Sequence, residues 1–331
     1  MMTLTAVPGF HSDQTSLNPV GPGAAHIEHT FGVIFWITAV VYCLVLITLV
    51  VSVYRKRNSL DSMPDPQQTS AASDLMATRA VAGAMIVTAA LLFVMLISSF
   101  RTSRALGRMN DEQALTIEVY GHQWWWEVQY PDTNAPYKIV ETANELHLPV
   151  GVPIRIHGTS RDVIHSFWAP NVQGKRDLMP GYDTELMLQI NQAGRWRGQC
   201  AEYCGEQHAH MSFYMVAEPN DQFEAWLNAE SQPAVAPRTE QTVHGQHVFL
   251  THACVMCHTI RGTTAGSRVG PDLTHVASRA TIAAGELPNT IGNLGGWILN
   301  AQALKPGCRM PPNQMSGSDL QDLLACLETL R

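Results

Sequence analysis

Hydrophobic and polar positions divide this chain into three textures. The first is unbroken apolarity. No Asp, Glu, Lys or Arg occurs from Phe31 to Val53 or from Ala80 to Phe100. Each run matches the ~20 apolar residues that cross a bilayer core and exceeds the ~10–14 of a buried helix or signal-peptide core. Both are apolar all round, so neither reads as the half-buried helix of a soluble domain. A signal peptide carries its basic cluster ahead of the apolar run. Here Arg55, Lys56 and Arg57 follow it, and residues 1–30 hold no Lys or Arg. The positive-inside rule then places the loop 54–79 in the cytoplasm. Two spans return the chain to its starting side, so the N-terminal tail 1–30 and everything after Phe100 lie outside. Arg101, Arg104 and Arg108 argue mildly against this, but large translocated domains cross largely regardless of charge.

The second texture is alternation. "LTIEVYGHQWWWEVQY", "NELHLPVGVPIRIHGTS", "DVIHSFWAP", "YDTELMLQI", "GRWRGQC" and "MSFYMVAE" are short β-rich runs split by Gly, Pro and Asn. Strands at this spacing predict an all-β sandwich or barrel over 110–230, closed by a short helix from Asp221 to Ala229. The third texture follows a Pro-rich linker, 231–240. "TVHGQHVFLTHACVMCH" reads as helical, and "SGSDLQDLLACLETL" ends the chain as a helix with Ser318 as its N-cap. Residues 241–331 thus form a small all-α domain. The expected architecture is a multidomain membrane protein: a transmembrane hairpin, a β-sandwich or barrel, and a helical domain.

Composition adds little to this. The chain has 331 residues, enough for two or three domains. Its net charge is −7, and its longest basic run is Arg55-Lys56-Arg57, which excludes a nucleic-acid binder. The cysteines carry more. Of seven, Cys43 lies in the first span as an inert packed thiol. The others fall as Cys200/Cys204, Cys254/Cys257 and Cys308/Cys326. The last pair reads equally as a disulfide or as two free thiols.

"CAEYCGEQHAHM" (200–211) crowds soft ligands together. A disulfide would leave two histidines and a methionine unexplained. Zinc would use the cysteines and histidines but not Met211. Thiolate with thioether favours copper, and two thiolates are one too many for a mononuclear blue-copper site. Two bridged coppers need two histidines: His208 and one from upstream. Among His122, His147, His157 and His165, the last is preferred, because it ends a strand-like run before a Pro-containing turn. Zinc and disulfide remain open on residue chemistry alone. "CVMCH" is the attachment pattern of a c-type haem, held by Cys254 and Cys257 with His258 as proximal ligand. Met310 in "KPGCRMPP" is the expected distal ligand, with Met315 the fallback.

Here the residues resemble a family. "DVIHSF" with "CAEYCGEQHAHM", preceded by two spans, "GHQWWWEVQY" and "GKRDLMPGYD", is similar to the copper-A subunit, subunit II, of cytochrome c oxidase over about residues 30–220. The resemblance implies a cupredoxin-like Greek-key fold. It implies that Cys200 and Cys204 bridge two coppers, each also bound by His165 or His208. Met211 and the Glu202 carbonyl would be weak ligands, and the Glu202 carboxylate would help hold magnesium at the boundary with subunit I. Trp124 matches the surface tryptophan where electrons arrive from cytochrome c; either Trp125 or Trp126, not both, should pack in the core. Nitrous oxide reductase has an aromatic residue between the cysteines, and quinol oxidase subunit II lacks the cysteines, so this chain departs from both. Residues 241–331 resemble a class I cytochrome c domain, and the fusion resembles the caa-type oxidases.

The implied function is that of the electron-receiving subunit of a respiratory terminal oxidase. Its expected partners are a cytochrome c-type donor, subunit I, where oxygen is reduced with proton translocation, and subunit III. The expected location is the plasma membrane, with both domains on the periplasmic side. The alternative is a membrane-tethered carrier serving another reductase. One departure stands out. The family often carries a glutamate near the start of the second span, and "DLMATRAVAGAM" has only Asp74 and Arg79 as ionisable residues.

Overall fold

A computed structural model describes residues 14–57, 71–108, 114–131 and 139–331. It falls into two compact units, residues 25–108 and the remainder. The first unit is the helical hairpin. α1 (Pro22–Arg57) and α2 (Ala71–Gly107) run 36 and 37 residues. At ~1.5 Å per residue each is longer than a ~30 Å hydrocarbon core requires. Their apolar side chains face outward, with Trp36 68% and Ile86 70% exposed. Such surface needs lipid, not water, as its solvent. The hydroxyls of Thr30 and Thr102 share a hydrogen bond between the two helices.

Both helices overrun the expected spans. α1 begins at Pro22, so the expected tail 1–30 is partly helical. Ahead of it, Val20 N donates to the Asn171 carbonyl at 2.8 Å and Thr15 N to the Asn171 side chain at 3.0 Å, both on the sandwich. Residues 15–20 are therefore tied to the sandwich. α2 begins well before Ala80 and takes in Asp74, which the sequence places in a loop. Residues 58–70 of the expected cytoplasmic loop lie outside the described residues.

The sandwich has two five-stranded sheets. β1 (Leu115–His122), β2 (Trp125–Pro131), β3 (Ile139–Ala143), β5 (Ile154–Ser160) and β8 (Thr184–Leu188) form one, in the order β3-β2-β1-β5-β8. β4 (Glu145–Pro149), β6 (His165–Trp168), β7 (Arg176–Leu178), β9 (Gly194–Cys200) and β10 (Ser212–Glu218) form the other, in the order β4-β10-β9-β6-β7. β1 runs parallel to β5 and β4 to β10, and the remaining neighbours are antiparallel. The alternation seen in sequence follows from this, because one face of each strand turns inward. Trp126, Phe167 and Phe213 fill the space between the sheets. Trp126 meets the other two edge-on at 5.5 Å, and Phe167 stacks on Phe213 at 4.2 Å. α3 (Asn220–Glu230) lays Trp226 against Tyr130.

α4 (Glu240–Thr251), α5 (Ile291–Leu304) and α6 (Gly317–Leu327) build the last domain, with a short ribbon of β11 (Thr281–Ile282) and β12 (Leu287–Pro288). Thr239 caps α4 through a reciprocal bond with Thr242. α6 is capped by Ser316, not Ser318: the Ser316 hydroxyl accepts from Asp319 N at 3.0 Å, while Ser318 is already the second residue of the helix. The run "TVHGQHVFLTHACVMCH" is not one helix. α4 stops at Thr251, and Ala253–Met256 form a 3₁₀ turn.

Candidate metal and haem sites

The first site is assembled by strand register. β9 and β10 are antiparallel neighbours, and Cys200 N donates to the Met211 carbonyl at 2.9 Å, so the two ends of the loop 201–210 face each other. β6 lies on the other side of β9, with Phe167 opposite Cys200. This brings His165 alongside. The nitrogen and sulfur atoms of His165, Cys200 and Cys204 lie within 4.8 Å of one another, and all three residues are buried. Cys200 Sγ is 3.7 Å from Cys204 Sγ and 3.9 Å from His165 Nδ1. Cys204 Sγ is 3.6 Å from His208 Nδ1 and 3.8 Å from Met211 Sδ. The Glu202 carbonyl points inward, 3.2 Å from Cys200 Sγ, while its carboxylate is on the exposed side.

All six residues expected to hold copper thus converge. The other upstream histidines do not: His122 pairs with Glu127, His147 with Glu218 and His157 with Glu185. The cysteines are free thiols. A hydrogen bond from Cys204 holds the Cys200 thiol far below its ordinary value, against burial, with help from His165. The same neighbour, and then burial, push Cys204 far upward. Two thiolates this close repel, so the second ionises only when a cation shares the site. Thiolates, imidazoles and a buried thioether are a soft donor set that fits copper; a zinc site would leave Met211 idle.

Sequence reasoning missed the support behind these ligands. Asp162 Oδ1 lies 2.8 Å from His165 Nε2, which leaves Nδ1 facing the thiols. Burial opposes ionisation of Asp162, but bonds from His165 and from the backbone N–H groups of Gln123 and Val163 win and hold its carboxyl low. A Cβ on Gly121 would sit 2.6 Å from the His165 ring, so only glycine admits the imidazole there. The signals were present in "DVIH" and "GHQW", without a pattern to read them by.

The second site is a cavity of about 460 Å³ lined by Cys254, Cys257, His258 and Met310, within the range of small-molecule sites. Leu294, Trp297, Ile298, Leu323 and Leu327 give it apolar walls. His258 Nδ1–H donates to the Pro271 carbonyl at 2.8 Å, leaving Nε2 free for a metal, and burial holds its pKa down so that the ring stays neutral. A Cβ on Gly270 would lie 2.7 Å from this ring. Met315 packs on the helical core but does not line the cavity. Two attachment thiols, a neutral imidazole and a thioether around apolar walls fit a covalently bound haem. Cys308 and Cys326 are unpaired: Cys308 Sγ accepts from Gln302 Nε2 at 3.2 Å, and Cys326 is buried near Gly245.

The two sites share a wall. Trp124, Trp125 and Gln123 of the sandwich also line the cavity of the second site. Trp124 Nε1 donates to the Cys204 carbonyl at 3.0 Å, and Gln123 Nε2 donates to it at 2.8 Å. Trp126 alone of the three tryptophans is in the core; Trp125 stacks on His122 at 4.3 Å. Lys305, 3% exposed, donates to the carbonyls of Trp124 and Ala283, both at 3.1 Å. Burial pushes its pKa down to about 8.

Residues 115–218 match the family "Cytochrome C oxidase subunit II, periplasmic domain", and residues 242–331 match "Cytochrome c". Cytochrome c oxidase subunit 2 of Alkalihalophilus pseudofirmus is 29% identical over 96% of this chain and 91% of its own length. That of Bacillus sp. strain PS3 is 30% identical over 61% of this chain and 58% of its own length. The protein of that name from Branchiostoma floridae is 31% identical, over 43% of this chain and 69% of its own length. The chain therefore belongs to the cytochrome c oxidase subunit II family, with a cytochrome c domain following its subunit II periplasmic domain.

Proposed function

We propose that this subunit receives electrons from a cytochrome c-type donor at its cytochrome domain and relays them through its sandwich to subunit I of the oxidase, where oxygen is reduced with proton translocation. His165, Cys200, Cys204, His208, Met211 and the Glu202 carbonyl would hold the dinuclear copper. Cys254 and Cys257 would carry the haem, and His258 and Met310 would ligate its iron. When bound, each group takes up and releases one electron. The Glu202 carboxylate, on the exposed side where it accepts Tyr203 N at 3.2 Å, is assigned to magnesium shared with subunit I, and subunit III is an expected further partner.

The observation that carries this reading is Trp124. It lines the cavity of the haem-site residues and hydrogen-bonds the Cys204 carbonyl, so the same side chain borders both sites. Two outward-facing apolar helices support a two-span subunit of the plasma membrane. The contact of Val20 with Asn171 supports a starting segment on the same exterior, periplasmic side as the sandwich.

The test is the EPR spectrum of the oxidised full chain, loaded with copper and haem in mild detergent. The expected result is one unpaired electron shared equally by two copper nuclei, beside a low-spin haem signal. A single-copper pattern, or bound zinc without a copper signal, refutes the ligand set. Copurification with subunit I tests the assembly, because a free carrier purifies alone.

A further inference from the structure

We propose that Arg309 is a positioning residue that ties the haem-ligand loop of the cytochrome domain to the copper ligand His165, acting through Asp162. This rests on the reading above, in which Met310 and His165 bind the two metals. Arg309 immediately precedes Met310. Its Nη2 lies 3.2 Å from Asp162 Oδ2 and 3.4 Å from Gln123 Oε1. The other carboxylate oxygen of Asp162 is 2.8 Å from His165 Nε2. Asp162 also accepts Gln123 N at 2.7 Å, the residue before Trp124. One carboxylate is thus gripped at once by the copper-ligand imidazole, by the Trp124 segment and by the cytochrome domain.

The consequences are electrostatic and mechanical. A carboxylate on the outer nitrogen of a ligating imidazole orients the ring and makes it a stronger electron donor. The Arg309 guanidinium draws part of that charge away. Without it, His165 donates more strongly and favours the oxidised, more positive metal. Arg309 also fixes its loop at one end. Gln302 Nε2 holds the same loop from the helical side through the Met310 carbonyl at 2.8 Å, and buried Lys305 anchors its base on Trp124. A cation at each end of 305–309 therefore seats this domain over Trp124.

The experiment uses the full chain, copper- and haem-loaded in detergent, as wild type, Arg309→Ala and Arg309→Lys. Haem and copper are titrated separately by their optical bands, and electron equilibration between them is timed after flash reduction of the haem. Arg309→Ala should shift the equilibrium, in which the electron lost by the haem is gained by copper, about threefold away from copper, or ~28 mV at 59 mV per tenfold for one electron. The haem potential should stay fixed and equilibration should slow. The side chain of Arg309 is 57% exposed, so the shift is modest and should shrink with added salt. Arg309→Lys, which keeps the cation, should recover most of it. Unchanged copper potential in Arg309→Ala overturns the coupling, even if equilibration slows, because slowing alone would show only domain seating. Wild type without the shared two-copper signal instead overturns the parent reading.

Discussion

Gly121→Ala tests how the sandwich seats His165 at the proposed copper site. The added Cβ would lie 2.6 Å from His165 Cδ2, 2.9 Å from Cγ and 3.2 Å from the His165 Cβ, whereas ordinary contacts begin at 3.4 Å. One side must give by about 1 Å, since atoms this close are on the repulsive wall. The strand is poorly placed to do so. Gly121 is paired across β1 with Trp126 on one side and Ser160 on the other, and its carbonyl accepts Arg161 N at 2.9 Å. The imidazole has Trp126 edge-on at 5.9 Å and is tied to Asp162. The ring therefore moves and strains that tie. Overpacking of this kind costs about 1–3 kcal/mol, and loss of an outer-shell tie costs about 10–100-fold in metal affinity. The assay is competition for copper against a coloured chelator, with the urea midpoint measured on the same full chain. We expect copper affinity to fall by at least about tenfold and the copper hyperfine pattern to change. Wild-type affinity and hyperfine pattern, whatever the urea midpoint does, would refute the claim that the glycine seats His165.

Three further outcomes follow from the same geometry. Met310→Leu keeps bulk and removes the thioether, so the low-spin haem spectrum should be lost and the potential should fall, while Met315→Leu leaves both unchanged; the reverse pattern would exchange their roles. Cys204→Ser removes one of the two close thiols, and the EPR pattern should collapse to a single copper nucleus; a persistent two-copper pattern would remove Cys204 from the ligand set. Glu141 is raised to about 7 by burial and then by Glu127, only partly offset by Arg268. The folded state therefore holds this proton through a window, from about 4.5 to about 7, in which the unfolded chain has lost it. Stability from this group is full below that window and declines as pH rises through it, by at most about 3 kcal/mol at ~1.36 per pH unit. Glu141→Gln should flatten this part of the pH–stability curve measured by Trp fluorescence, and parallel curves for the two proteins would count against the account.

The sequence made some features plain because their physics is local. Two charge-free runs, the β alternation and the clustered soft ligands all lie within short windows. Helix limits were less legible. α1 begins at Pro22 and α2 at Ala71, because polar residues continue a helix once an apolar stretch has nucleated it. The α6 cap fell to Ser316 instead of Ser318 because the cap is set by which hydroxyl reaches an N–H three residues on, and two serines two apart compete for that place. The residues that converge at the candidate metal site could be named from "CAEYCGEQHAHM" and "DVIHSF", yet Asp162, Gly121 and Lys305 could not be assigned work. Gly121 and Lys305 act across a long stretch of chain, on His165 and on Trp124, and a single sequence carries no sign of which distant residue each will meet; Asp162 lies only three residues before His165, but no local pattern says that its carboxylate will hold the imidazole.

Trp124 shows what that costs in function. From its motif it reads as a surface residue open to an external cytochrome. In the structure it is half-buried: its carbonyl accepts from the Lys305 ammonium, its indole N–H donates to the Cys204 carbonyl and its ring borders the cavity proposed for the haem. The neighbouring contacts extend the seal. Ser212 Oγ donates to the Ala284 carbonyl at 2.7 Å, Glu145 accepts Ala280 N at 3.0 Å, and His210 meets Glu286 at 2.9 Å. Trp124 therefore keeps only intermediate exposure, and an outside protein would have to displace buried Lys305 and its loop to reach the covered part of it. On the proposed reading, the donor therefore meets the cytochrome domain and not the tryptophan. The face that an unfused subunit would offer to a soluble partner is here filled by the chain's own last domain.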